Sequence, residues 1–199
     1  MKWLHVLTTL VILGVLVVTP SAPGQAQATK PDTPKGREVR DTKSADWKIK
    51  NAMSAAPASI GKNATILDHA KEGAEPAALR KGTNEWTCFP DDPTTPANDP
   101  MCLDKMAMAW AQAWMTKKEP ALTATGIGYM LQGGGSPSNT DPHAKKPAAG
   151  QKWMKEPPHV MIFAPGKLDP KIYTTDEHSG GPWIMWAGTP YEHLMVPIK

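Results

Sequence analysis

Two short strings, His159-Val160-Met161 and His193-Leu194-Met195, carry the residue types best suited to chemistry in this chain. Side chains alternate between faces along an extended strand, so each His shares a face with the Met two residues on. Imidazole nitrogen with thioether sulfur is a donor set for copper, and thioether sulfur favours Cu(I). If the two strands are neighbours, His159, Met161, His193 and Met195 form a candidate metal site, and copper is the cofactor it would take. Met185 and His178 lie between the strings as further donors. The competing reading is packing: the chain has 11 Met, and both Met of the pattern sit in apolar runs where a core role is sufficient.

Other constellations carry less. His178-Ser179-Gly180-Gly181-Pro182 partly resembles the Gly-Asp-Ser-Gly-Gly-Pro segment of chymotrypsin-like proteases. Here Glu177-His178 stands where that segment has Gly-Asp, and no Ala-Ala-His-Cys string supplies a base. A hydrolase centred on His178 is the remaining enzymatic reading, and no residue is assigned a catalytic role. Gly133-Gly134-Gly135 is followed by no Gly-Lys-Ser/Thr, so it reads as a flexible turn and not as a phosphate cradle. Asp91, Asp92, Asp99 and Asp104 offer oxygens to a hard cation such as Ca²⁺, although Asp99 is also placed to cap a helix. Trp183-Ile184-Met185-Trp186, with Trp110, Trp114, Tyr129 and Tyr191, could line an aromatic pocket for a planar or apolar ligand. Trp183 and Trp186 differ in parity, so an unbroken strand would send them to opposite faces.

The elements that must position these residues are short, because the chain holds 21 Pro and 16 Gly. Asp46 is placed to cap a helix from Trp47 to Ser54, and Ala64–Leu67 reads as a strand. Leu79-Arg80 and Glu85–Phe89 read as a hairpin. Asp99 and Pro100 signal the start of a long helix over Met101–Lys118, in which Leu103, Met106, Ala107, Trp110, Ala113 and Trp114 form one stripe. Four strand-like runs follow: Thr123–Leu131, His159–Ala164, Trp183–Ala187 and His193–Ile198. The last two are close enough for an antiparallel hairpin, and no helix-length segment separates them. The predicted architecture is α+β: a loop-rich antiparallel sheet with one long helix packed on a face. Gly133–Lys152 is a long irregular loop, of the kind that carries binding function.

Residues 1–28 read as a secretory signal peptide: a basic start, an apolar run from Val6 to Val18, a Pro/Gly break, and a small-x-small site at Ala26-Gln27-Ala28. The expected location is therefore periplasmic or secreted, with a polar linker over 29–46 and one domain over 47–199. No later stretch is long and apolar enough for a membrane span. Cys88 and Cys102 are the only two cysteines. In an oxidising compartment they pair most simply as one disulfide, worth about 3 kcal/mol for a loop of about 15 residues. Loss of Lys2 with the leader takes the formal net charge from +3 to +2, and the remaining basic residues are scattered. That balance argues against a nucleic-acid partner.

Four stretches form a recognisable set: Glu85-Trp86-Thr87-Cys88-Phe89-Pro90, Asp99-Pro100-Met101-Cys102-Leu103-Asp104, Gly128–Gly134, and Gly180–Tyr191 with its Gly-Gly-Pro-Trp-Ile-Met-Trp-Ala-Gly-Thr-Pro-Tyr string. They resemble a group of exported bacterial proteins to which no activity is assigned, over roughly Ala52 to Ile198. The resemblance implies a bacterial origin and no particular chemistry. The functional expectation is an exported, non-catalytic binding or interaction domain, with a periplasmic copper-binding protein and a hydrolase as alternatives. Its ligand or protein partner is not specified by these motifs.

Overall fold

Strands of three to five residues and three helices alternate through residues 44–70 and 75–198, the part of the chain that the computed structural model describes. The signal peptide expected over 1–28 and most of the linker over 29–46 lie outside the described residues. Those described fall in one compact unit, Arg40–Lys199. Helix α1 spans Ala45–Met53, so it starts within the expected linker. Its cap is Ser44, whose hydroxyl accepts from the Trp47 amide; Asp46 lies in the first turn. A four-residue helix α2 (Ala58–Gly61) follows.

The strands in chain order are β1 (Thr65–Leu67), β2 (Ala78–Arg80), β3 (Thr87–Phe89), β4 (Met101–Leu103), β5 (Gly126–Met130), β6 (Gly134–Ser136), β7 (Met154–Glu156), β8 (His159–Phe163), β9 (Trp183–Met185) and β10 (His193–Pro197). Eight of them form one sheet in the order β2-β1-β3-β4-β5-β8-β10-β9, and β6 pairs with β7 in a separate hairpin. Pairing is antiparallel throughout except between β1 and β3. The α+β class, the antiparallel sheet, the β9–β10 hairpin and the Cys88–Cys102 disulfide are all present. The hairpin expected of Leu79-Arg80 and Glu85–Phe89 is not. β1 inserts between β2 and β3, with Ile66 set against both Arg80 and Cys88. This insertion buries Ile66 completely.

The long helix is shorter than its sequence pattern and begins later. Helix α3 is Lys105–Met115, and Met101-Cys102-Leu103 is extended as β4, because Cys102 lies in register with its disulfide partner Cys88 on β3. The cap is therefore Asp104 and not Asp99. One Asp104 oxygen accepts from the Ala107 amide at 2.8 Å and the other from the Ile127 amide of β5 at 2.7 Å. This carboxylate both caps α3 and ties its first turn to the sheet. Asp104→Ala is expected to cost about 2 kcal/mol, the cap together with a stranded strand amide, measured by urea unfolding.

Helix α3 buries Ala107, Trp110 and Ala111 in one cluster with Leu103, Met161, Phe163, Trp183, Met185 and Met195 of the sheet. A second cluster gathers Ala52, Ala55, Ala64 and Ile66 with Cys88 and Cys102, placing α1 against the other side of the β1–β4 end. Among the described residues no helix is long and apolar enough to cross a membrane.

Candidate metal centre

The strand order makes β8 and β10 antiparallel neighbours, with Met161 directly opposite Met195. Period-two alternation then puts all four residues of the two His-x-Met strings on one face, the face that α3 covers. The two Met are cross-strand partners, with Cβ atoms about 4.5–5.5 Å apart. The two His are not cross-strand partners. His159 is level with Pro197 and His193 with Phe163, four residues apart along the strands, or about 13 Å at 3.3 Å per residue. The four donors share one face, and the two His are near enough for His159 to add to the lowering of the His193 pKa.

The two imidazoles nonetheless have a common local geometry. His159 Nδ1 lies 2.7 Å from the Pro157 carbonyl oxygen, and His193 Nδ1 lies 3.0 Å from that of Tyr191. A carbonyl only accepts, so each Nδ1 carries the proton and each Nε2 carries a lone pair. Burial pushes both imidazoles below their ordinary pKa, His193 to about 4, so both are neutral at physiological pH. A ring nitrogen that donates to a backbone carbonyl while its mate presents a lone pair is the arrangement of metal-ligating histidines.

Their surroundings differ. His193 is enclosed by rings: Trp110 and Trp186 approach edge-on with centroids 5.1 and 5.2 Å away, and Phe163 stacks at 5.2 Å. Among the described residues His159 makes no such ring contact, and its buried Nε2 has no hydrogen-bond partner. Its cross-strand neighbour is Met130 on β5. The register that sets Cys102 against Tyr129 and Leu103 against Gly128 continues to set Met101 against Met130. Met101, Met130 and His159 thus form a row across three adjacent strands, and both thioethers are only partly buried, against the α3 core. Met161 is diagonal to this row, two residues on from His159.

A buried carboxyl stands beside the row. A β-carbon placed on Gly134 would lie 2.9 Å from the Met130 methyl, 2.9 Å from Glu156 Oε2 and 3.5 Å from Asp99 Cβ. Glu156 is 5% exposed and its Oε1 has no partner among the described residues. Burial raises its pKa to about 7; the Ser136 hydrogen bond pulls downward and the nearby Asp99 charge upward. Asp99 is itself raised to about 6, chiefly by burial. It accepts from the Asp92 amide and the Thr95 hydroxyl, and its own amide donates to Asp91.

The remaining sequence candidates are accounted for. Among the described residues no group of three or more His, Cys, Asp or Glu side chains is placed to hold a metal ion. The hard-cation reading of the aspartates therefore fails: Asp104 caps α3, and Asp92 and Asp99 shape the Pro-rich loop inside the disulfide. His178 sits in a solvent-exposed turn, 3.8 Å from Glu177 and with its side chain 85% exposed. Trp183 and Trp186 do not face opposite ways. Trp186 lies past the end of β9 with φ 55°, which turns its ring back into the α3 cluster. There it stacks on Trp110 and Trp114, while Tyr129 pairs instead with Trp86 in the other cluster. The Gly133–Lys152 loop is partly ordered. Gly134–Ser136 forms β6, and the Ser138 and Pro142 carbonyls accept from the indoles of Trp186 and Trp114.

Sequence reasoning reaches His159 and Met161 but not Met101, Met130 or Glu156. Met101 carries a helix signal through Pro100, and nothing in a sequence pattern marks a carboxyl for burial. The fold and this row define an α+β domain with a soft-donor set under its covering helix. No family model matches the chain, and no curated protein or solved structure matches it.

Proposed function

We propose that this chain is an exported metal-binding protein that holds one Cu(I) ion at the row Met101, Met130 and His159, with Met161 as a flanking donor. The observation that carries this reading is the buried lone pair of His159 Nε2, which has no partner among the described residues, on a residue in cross-strand register with Met130 and, by continuation of the β4–β5 register, Met101. A buried imidazole nitrogen without a partner costs about 1–3 kcal/mol, and coordination offsets that cost. Two sulfurs and one neutral nitrogen suit Cu(I) and suit Zn²⁺ or Ca²⁺ poorly. Thioethers, unlike thiols, do not pair into disulfides in an oxidising compartment, and Glu156 supplies a carboxyl near the added charge. Binding is the whole activity in this reading, with no catalytic step.

The test is elemental analysis of the mature protein purified without chelators, followed by anaerobic Cu(I) titration against a chromophoric chelator. One Cu(I) per chain is expected. Met101→Leu and Met130→Leu keep volume and fold. Each is expected to weaken binding by about 10–100-fold, at least the effect of losing an outer-shell partner. Met195→Leu, in the centre of the original four-residue pattern, is expected to leave affinity unchanged. Absence of stoichiometric Cu(I), or wild-type affinity in both row variants, rejects the reading.

A further inference from the structure

Met161 and Met195 stand at the centre of a local two-fold arrangement. Their strands β8 and β10 are antiparallel, and the two residues are partners in register. A half-turn about their midpoint carries His159 onto His193 and the outer neighbour β5 onto β9. Each outer strand is antiparallel to its partner, and each sets a methionine opposite the histidine. Met130 pairs with His159, and Met185 pairs with His193. The correspondence extends to the imidazoles, since each Nδ1 donates to the carbonyl two residues earlier, that of Pro157 or Tyr191. The row around His159 therefore has a counterpart: His193, with Met185 across the strand pair and Met195 two residues on.

Strand geometry puts these three side chains on one face. Cross-strand partners have Cβ atoms about 4.5–5.5 Å apart, and residues two apart are separated by about 6.6 Å along the strand. Methionine has three rotatable bonds, so both sulfurs can swing toward one imidazole nitrogen. Packing accounts for Met185 and Met195, which belong to the α3 cluster, but not for His193. An apolar residue would fill that ring-lined space without the cost of burying a polar group. Neither adjacent indole N–H is bonded to His193. That of Trp186 donates to the Ser138 carbonyl, and that of Trp110 has no partner among the described residues. The Nε2 lone pair is thus left to a ligand.

We propose that His193, Met185 and Met195 form a second Cu(I) site, weaker than the row and filled after it. The order follows from the surroundings. The row has a third methionine, Met101, and the Glu156 carboxyl near Met130. β9 is the last strand of the sheet, so the inner set has no equivalent of Met101. Its members are also buried more deeply, Met185 at 2% and Met195 at 1% exposure, and a positive charge costs more there. The proposal shares the metal of the row and none of its three residues, so either site can fail alone.

The probe is Cu(I) itself, titrated anaerobically into the full mature chain past the first equivalent, with tryptophan emission as a second readout. A second equivalent is expected at higher free Cu(I). It is expected to quench emission, because the Trp110 and Trp186 rings lie 5.1 and 5.2 Å from that of His193. Met185→Leu and Met195→Leu conserve volume. Each is expected to weaken the second event by about 10–100-fold and to leave the first unchanged. Met130→Leu is expected to do the reverse. A single quenching event that Met185→Leu weakens and Met130→Leu spares supports this site while rejecting the row. Saturation at one equivalent that Met185→Leu leaves unchanged overturns the proposal. So does a second equivalent that causes no quenching or that survives in both Met185→Leu and Met195→Leu.

Discussion

At pH 8, Glu156→Gln is expected to be more stable than the wild-type protein by about 3 kcal/mol, while at pH 4 the two are expected to unfold at the same urea concentration. The carboxyl is 5% exposed, and its pKa is raised from the ordinary 4.5 to about 7, chiefly by burial. A carboxyl with a raised folded-state pKa binds more protons folded than unfolded between those two values. Stability therefore falls as pH rises from about 4.5 to about 7 and stays at the lower level above. At 1.36 kcal/mol per pKa unit, the loss is on the order of 3 kcal/mol. Gln keeps the shape and a hydrogen-bonding group without a charge to bury, so the variant lacks this slope. Asp99, raised to about 6, contributes a slope of the same sign that remains in both proteins. Urea titrations at half-unit pH steps measure the difference directly. A constant offset between the two proteins across this range would show that Glu156 ionises in the fold as it does in water.

Gly126→Ala is expected to destabilise the fold by about 3 kcal/mol, although it adds a single methyl group. Gly126 lies where the first turn of α3 crosses β5. A β-carbon there would stand 2.5 Å from the Ala107 nitrogen and 2.9 Å from the Met106 carbonyl carbon. Both are backbone atoms, so no side chain can swing aside and the helix itself must lift. Lifting it strains the two hydrogen bonds of Asp104, one to the Ala107 amide and one to the Ile127 amide. It also opens the packing of Trp110 on Phe163, whose rings lie 4.4 Å apart. Overpacking costs about 1–3 kcal/mol, and this contact with a fixed backbone belongs at the upper end. Gly181→Ala is the control, because nothing lies within 4 Å of a β-carbon there. Its effect is expected to stay within about 0.5 kcal/mol. If thermal unfolding finds the two variants alike, α3 does not sit on β5 as closely as described.

Met101 and Met130 are packed against the cluster that α3 forms with the sheet. The Asp104 clamp, which sets the height of α3 over β5, therefore bears on the proposed copper row as well.

Local chemistry alone determined several features of this protein. Two cysteines leave one possible disulfide pairing, and the structure has that bond. Period-two alternation placed each His on the face of its Met, because strand geometry leaves no other option within three residues. Alternation says nothing about strand order or register, which are set by burial across the whole sheet. Only the tertiary structure decided that Met161 pairs with Met195 while His159 and His193 are not cross-strand partners, and that Met130 is the β5 partner of His159 with Met101 one strand further on. The same holds where local signals conflict with long-range ones. Asp99 and Pro100 suggest a helix start, but the register of Cys102 with Cys88 holds Met101–Leu103 extended and moves the cap to Asp104. Trp186 escapes the parity of its strand because β9 ends at Met185 and the next residue turns with positive φ. No local pattern marks Glu156 for burial; its carboxyl is buried where β7 pairs with β6 and Asp99 lies nearby, segments far apart along the chain.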